Sequence, residues 1–137
     1  MLNKRKYFLN FLRLIGIKSN FSAYNNNIKV KGDMIMIRIV NLRNCKLNEG
    51  EILIKVDRSN KVLGNRFVMH SETERDKVCD EYEAWFNDQV NNKNQVVLNE
   101  LRKIYRLAKK YDIALGCWCY PKRCHSETIK RFIESYL

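Results

Sequence analysis

A chain of 137 residues with 45% apolar, 30% charged and 11% aromatic residues has the balance of one soluble globular domain, long enough to bury one core but not two. One proline and five glycines leave little for flexible linkers, and no apolar run approaches the ~20 residues of a spanning helix. The net charge of +11 resembles a nucleic-acid footprint until it is divided: residues 1–35 hold seven Lys/Arg against Asp33, and residues 36–137 hold nineteen against fourteen acids. More than half of the excess therefore lies in the first quarter of the chain, and the remainder is only mildly basic.

Residues 1–35 differ in texture from the rest. Lys4-Arg5-Lys6 precedes an apolar stretch over residues 7–17 that is crossed by a polar stripe of Lys6, Asn10 and Arg13 at helical spacing. Asn10 and Arg13 interrupt what would be the apolar core of a secretory signal. A basic amphipathic helix on a membrane surface is one reading, and it carries the only membrane partnership the sequence offers. The other is that translation starts at Met36, because Lys31-Gly32-Asp33 can be encoded by a purine-rich ribosome-binding sequence. On that reading residues 1–35 are an extension and residues 36–137 the folded α/β domain.

From Met36 the periodicities are clean. Ile37, Ile39 and Val40 mark a first strand that ends in polar residues 41–44. Ile52, Ile54 and Val56 alternate with Glu51, Lys55 and Asp57, as in a strand with one wetter face. Residues 57–67 form a polar loop. Ser71 or Thr73 is placed to cap a helix with Val78, Tyr82, Trp85, Phe86 and Val90 on one face. Residues 91–94 break it, and a second helix turns Val97, Leu101, Ile104, Tyr105 and Ala108 inward. Residues 113–117 are a continuous apolar run of the kind a strand buried on both faces shows. Ile129, Phe132, Ile133, Tyr136 and Leu137 mark the face of a closing helix. This order predicts an α/β domain with a small sheet, at least one buried parallel strand and three flanking helices. Ligands of such sheets sit beyond the carboxyl ends of the strands, and the loops 57–67 and 119–125 both follow strands.

Five cysteines are an odd number, and their spacing is not that of a secreted disulfide scaffold, so reduced thiols in a cytosol are expected. Cys117, Trp118, Cys119, Cys124 and His125 crowd into nine positions. Three readings compete. Cys117, Cys119, Cys124 and His125 make the Cys3His ligand set of structural zinc, although the adjacent ligands at 124 and 125 diverge. A ligand or catalytic loop would use His125 or an activated Cys124, with Lys122 and Arg123 attracting an anion. The third is purely structural: small buried cysteines and a histidine bonded to the helix start, with Ser126 as its cap.

Residues 115–121, Cys124-His125-Ser126 and Ile129 resemble the C-terminal signature of a small bacterial and phage family known as domain of unknown function 4326. That signature runs leucine-alanine-cysteine-X-cysteine, proline, then cysteine-histidine and a closing helix. Val56-Asp57-Arg58-Ser59 falls on the family's isoleucine-glycine-arginine element, residues 63–67 on its glycine-asparagine-proline-phenylalanine element, and Tyr82 and Trp85 on its helical pattern. Asp57 and Arg66 depart from the family's glycine and proline. The resemblance spans nearly all of residues 36–137 and implies no activity by itself.

The leading reading is a bacterial or phage-encoded cytoplasmic protein that binds, and either hydrolyses or sequesters, a nucleotide or phosphosugar. Arg58 would meet its anionic group, Gly64 would allow close backbone approach, and Asn65 would hydrogen-bond it. His125, with Cys124, would be the acid/base or polar anchor, and Asp57 is the one carboxylate placed nearby. No cofactor is required. The alternative is a zinc-stabilised module for nucleic acid or protein, presenting Trp118 and Tyr120 beside Lys122 and Arg123.

Overall fold

A computed structural model describes residues 36–137. The readings made for residues 1–35, the amphipathic helix among them, lie outside the described residues. The elements run β1 (Ile37–Asn41), β2 (Ile52–Lys55), a 3-10 turn (Glu72–Glu74), α1 (Arg75–Asn91), α2 (Gln95–Ala108), β3 (Ile113–Cys117) and α3 (Ser126–Glu134). The three strands form one sheet in the order β1-β3-β2, and both pairings are parallel. This is the α/β architecture expected, with three helices about a small sheet.

β3 is buried at all five positions, which explains its unbroken apolar run. The register sets Ile37 and Ile52 beside Ile113, and Arg38 and Leu53 beside Ala114. α3 packs on β1 and β3, and α2 on both other helices. Val97, Leu98, Leu101, Ile104, Tyr105 and Ala108 are all buried, so the spacing of apolar residues in α2 reads out directly as packing. Asn94 explains where that helix starts: its side chain accepts from the Val96 and Val97 amides at 3.1 and 3.5 Å. The closing helix is shorter than its apolar pattern, ending at Glu134 and leaving Leu137 exposed. Trp85 is not sealed in the core either; the Arg66 guanidinium lies 3.8 Å over its ring, a cation–π contact. Among the described residues no helix is long and apolar enough to cross a membrane.

The one clear departure from the alternation rule is Glu51. Its position in the pattern puts it on the wetter face, yet its side chain is 2% exposed. Arg38 closes a bidentate pair with it, Nε to Oε1 at 2.6 Å and Nη2 to Oε2 at 2.7 Å. Arg38 Nη2 also donates to the Lys46 carbonyl at 2.7 Å, and the Asn48 amide donates to Glu51 at 2.9 Å. β1 and β2 are the two edges of the sheet, about 10 Å apart across β3. The pair therefore spans from one edge to the other and fastens residues 42–51, the crossover between them. Ala114, which pairs with Arg38, has a side chain short enough to be crossed.

The Arg38 hydrogen bonds hold the Glu51 carboxyl below its ordinary pKa. A depressed carboxyl contributes stability that is complete above the ordinary carboxylate range and is lost as pH falls through the lowered value. Arg38→Ala leaves a buried carboxylate without its partner and is expected to cost about 2–3 kcal/mol in urea unfolding at pH 7, below the figure for a fully buried pair because Arg38 is partly exposed. The same variant should lose less stability than the parent chain when both are taken from pH 6 to pH 3.

Candidate functional site

Since β2 and β3 are adjacent and parallel, their carboxyl ends share one edge of the sheet, and the loops leaving them emerge side by side. The first loop is shaped by Asn60. Its side-chain carbonyl accepts from the Val62 and Leu63 amides at 3.0 and 2.9 Å, while its amide group donates to the Lys55 carbonyl at 3.2 Å. The Gly64 amide then closes on the Asn60 carbonyl at 2.9 Å. A Cβ at Gly64 would lie 2.5 Å from both the Asn60 and the Asp57 carbonyl oxygens. Glycine is therefore required there for the loop to fold on itself; Gly64 is buried and is not among the residues that line the cavity. Tyr82 completes the support, donating from its hydroxyl to the Leu63 carbonyl at 2.6 Å.

The second loop is fastened to the first and to β1. Asn41 donates to the Trp118 and Tyr120 carbonyls at 3.2 and 2.8 Å. The Trp118 indole donates to Asp57 Oδ2 at 2.9 Å, and the Ser59 hydroxyl donates to Asp57 Oδ1 at 2.5 Å. These bonds, the Ser59 hydroxyl first, keep the Asp57 carboxyl below its usual pKa. Asp57 is thus an ionised tether for Trp118. In this structure both oxygens of the carboxylate are engaged in holding the loops together.

His125 stands at the N-cap position of α3, one residue ahead of Ser126, and makes no cap hydrogen bond itself. Its ring is buried, edge-on to Tyr82 with centroids 4.9 Å apart. Nε2 lies 2.5 Å from the Val56 carbonyl, an obligate acceptor, so Nε2 carries the proton. Burial holds the imidazole pKa below its ordinary value, and the ring is neutral at pH 7. The bond joins the start of α3 to the end of β2.

Asp57, Arg58, Asn65, Met69, Cys117, Trp118, Cys119, Cys124 and His125 line one cavity of about 330 Å³, which α1 closes with Arg75, Val78 and Cys79. Two loops far apart in sequence therefore meet around a common space, with Arg58, Asn65 and His125 all on its wall. The Asn65 side-chain carbonyl is used by the Phe67 amide at 3.0 Å, leaving its NH2 group as the polar handle. Arg58 spends Nη2 on the Phe67 carbonyl at 3.1 Å. Lys122 and Arg123 are elsewhere. Lys122 pairs with Glu72 at 3.3 Å, and Arg123 pairs with Asp76 and Asp80 at 3.0 and 2.7 Å. Lys122 clasps the loop to the 3-10 turn and Arg123 clasps it to the acidic face of α1, and neither lines the cavity. Arg123 instead faces an open groove of about 1030 Å³ along β1, where Arg38, Arg131 and Lys130 are likewise occupied by acids.

Three wall residues, Met69, Arg75 and Cys79, are not legible as such in the sequence. Arg75 and Cys79 occupy the same stripe of α1 as Val78 and Tyr82, at i, i+3, i+4 and i+7. The signal was present in the helical spacing, but a charged residue and an isolated cysteine did not read as part of that face. Arg75 is held by Glu72 and by donation to the Arg123 carbonyl at 3.0 Å, and its guanidinium lies beside the Cys119 sulfur. The fold thus gathers four of the five cysteines around one space. Among the described residues no group of three or more His, Cys, Asp or Glu side chains is arranged to hold a metal ion, and His125 directs Nε2 at a carbonyl.

The chain belongs to the family called Domain of unknown function (DUF4326), whose model matches residues 40–135. No curated protein and no solved structure matches it.

Replacing His125 removes a buried donor and strands the Val56 carbonyl. His125→Ala should destabilise the protein by about 1–3 kcal/mol in urea, and His125→Gln, which can still present an N–H, by less. A neutral histidine of depressed pKa contributes stability that is complete above about pH 6.5 and declines as pH falls toward its folded-state value. The parent chain should therefore lose stability between pH 7 and pH 5 more steeply than His125→Gln does.

Proposed function

We propose that this domain binds a mononucleotide or sugar phosphate in the cavity at the carboxyl ends of β2 and β3, in the cytosol of a bacterial cell. The observation that carries the reading is the convergence of Arg58, Asn65 and Trp118 on one space of about 330 Å³. That volume suits a ligand of one nucleoside or sugar unit and is too small for a dinucleotide. Its chemistry is divided in the same way as such a ligand. Met69, Val78 and the sulfurs of Cys79 and Cys117 make an apolar interior, with the Trp118 ring, 57% exposed, at the rim. Arg58 is exposed at the mouth, and its Nε and Nη1 make no hydrogen bond among the described residues. An anionic group placed there would be met by a charge-assisted N–H donor of the guanidinium. The NH2 of Asn65 supplies a directional contact between these two parts.

Binding without turnover is the form of this proposal. Asp57 has both oxygens engaged, and the His125 Nε2 proton is committed to Val56, so neither is placed to donate a proton to a substrate. Calorimetry of the full chain against nucleoside 5′-monophosphates and pentose and hexose phosphates is the test. At least one should bind with a micromolar dissociation constant. Arg58→Ala should weaken it roughly 10- to 100-fold, the worth of a charge-assisted contact. Absence of binding across the panel, or affinity unchanged in Arg58→Ala, would overturn the assignment.

A further inference from the structure

The cavity wall contains a pair of sulfurs that the binding reading does not use. Cys117 is the last residue of β3 and Cys124 stands two residues before α3. Six residues separate them, and the loop returns so closely that their Sγ atoms lie 3.3 Å apart. Neither end of this contact is loose. Cys117 is fixed by strand pairing with Asn41, and Cys124 by its neighbour His125, bonded to Val56. Both thiols are free, both are buried, and both face the cavity. A disulfide requires the sulfurs to close to about 2.05 Å, which is within reach of side-chain rotation from this separation.

We infer that Cys117 and Cys124 are a redox-active dithiol, converted to a disulfide by hydrogen peroxide entering the cavity. The surroundings assign the roles. The Cys124 thiol, in contact with the Cys117 sulfur, favours its thiolate against the opposing effect of burial. Cys124 retains the proton that the pair shares, because burial and the neighbouring thiolate oppose a second negative charge. The Cys117 thiolate attacks one peroxide oxygen, the O–O bond breaks, and sulfenic acid forms as hydroxide departs. That hydroxide takes the Cys124 proton and leaves as water. The Cys124 thiolate then attacks the sulfenic sulfur; the S–S bond forms, the S–O bond breaks, and a second hydroxide is released. Each sulfur gives up one electron and the peroxide accepts two. A small-molecule dithiol returns the pair to the reduced form by exchange.

The other cysteines serve as internal controls. Cys119 is on the same wall but beside Arg75, and Cys45 lines the groove along β1. Trypsin separates the pair by cutting after Lys110, Lys122, Arg123 and Lys130, so the disulfide joins peptides 111–122 and 124–130. The reduced full-length protein is treated with one equivalent of hydrogen peroxide, its remaining thiols are alkylated, and the digest is read by mass spectrometry. The expected product is that linked pair, two hydrogens lighter than its separate parts, abolished by dithiothreitol, retained in Cys119→Ser and absent in Cys117→Ser. Should Cys117→Ser fail to fold, fragmentation of the parent's linked peptides between Trp118 and Cys119 identifies the bonded sulfur without it. Linkage through Cys119, equal modification of all five thiols, or no linked peptide would overturn the inference. So would zinc that copurifies at one equivalent and protects the thiols until it is chelated.

Discussion

Both edges of β3 are consumed by parallel partners and both of its faces are covered, so the strand has no freedom to present itself any other way. A parallel neighbour must begin and end at the same ends of the sheet. Once β2 is paired to β3, the loops that follow them leave together, whatever their sequences. The cavity is a consequence of that pairing. The loop sequences decide only what the cavity is lined with.

The residues in and behind its walls show how much of the site's apparent chemistry is spent on holding the loops. Asp57, His125, Asn60, Tyr82 and Asn41 are each spent on a carbonyl, an amide or an indole of the surrounding loops. Such loops lack the regular ladders of helix and strand, and their backbone groups must be satisfied by side chains instead. The polar residues clustered after β2 and β3 are largely the answer to that requirement. The sulfurs, the NH2 of Asn65 and the outward part of Arg58 are what remains.

The sequence was most legible where one physical demand acts on a run of residues. The five buried residues of β3 and the stripe of α2 are legible because burial repeats at each step of a regular backbone. It was least legible where a single distant partner reverses a local preference. Glu51 belongs to the wet phase of an alternating strand until Arg38 reaches it from the far edge of the sheet. Lys122 and Arg123 read as an anion lure because Glu72, Asp76 and Asp80, which neutralise them, are placed opposite only by the fold. Gly64 was recognisable as a place without room for a side chain, but the atoms that fill the room are the loop's own carbonyls. Cys79 precedes the other cavity thiols by almost forty positions, and only the fold brings it beside them.

The strand order also governs when the sheet can exist. β1 and β2 do not pair with each other; among the described residues each finds its strand partner in β3, which is made after both of the long helices. A chain emerging from the ribosome from its N-terminus exposes two strands that have nothing to pair with until the stretch from Ile113 to Cys117 follows them. Local contacts within α1 and α2 can form in the interval, but the sheet contacts are almost all of long range. Assembly of this domain is therefore a late event in its own synthesis, waiting on the insertion of one strand between two others.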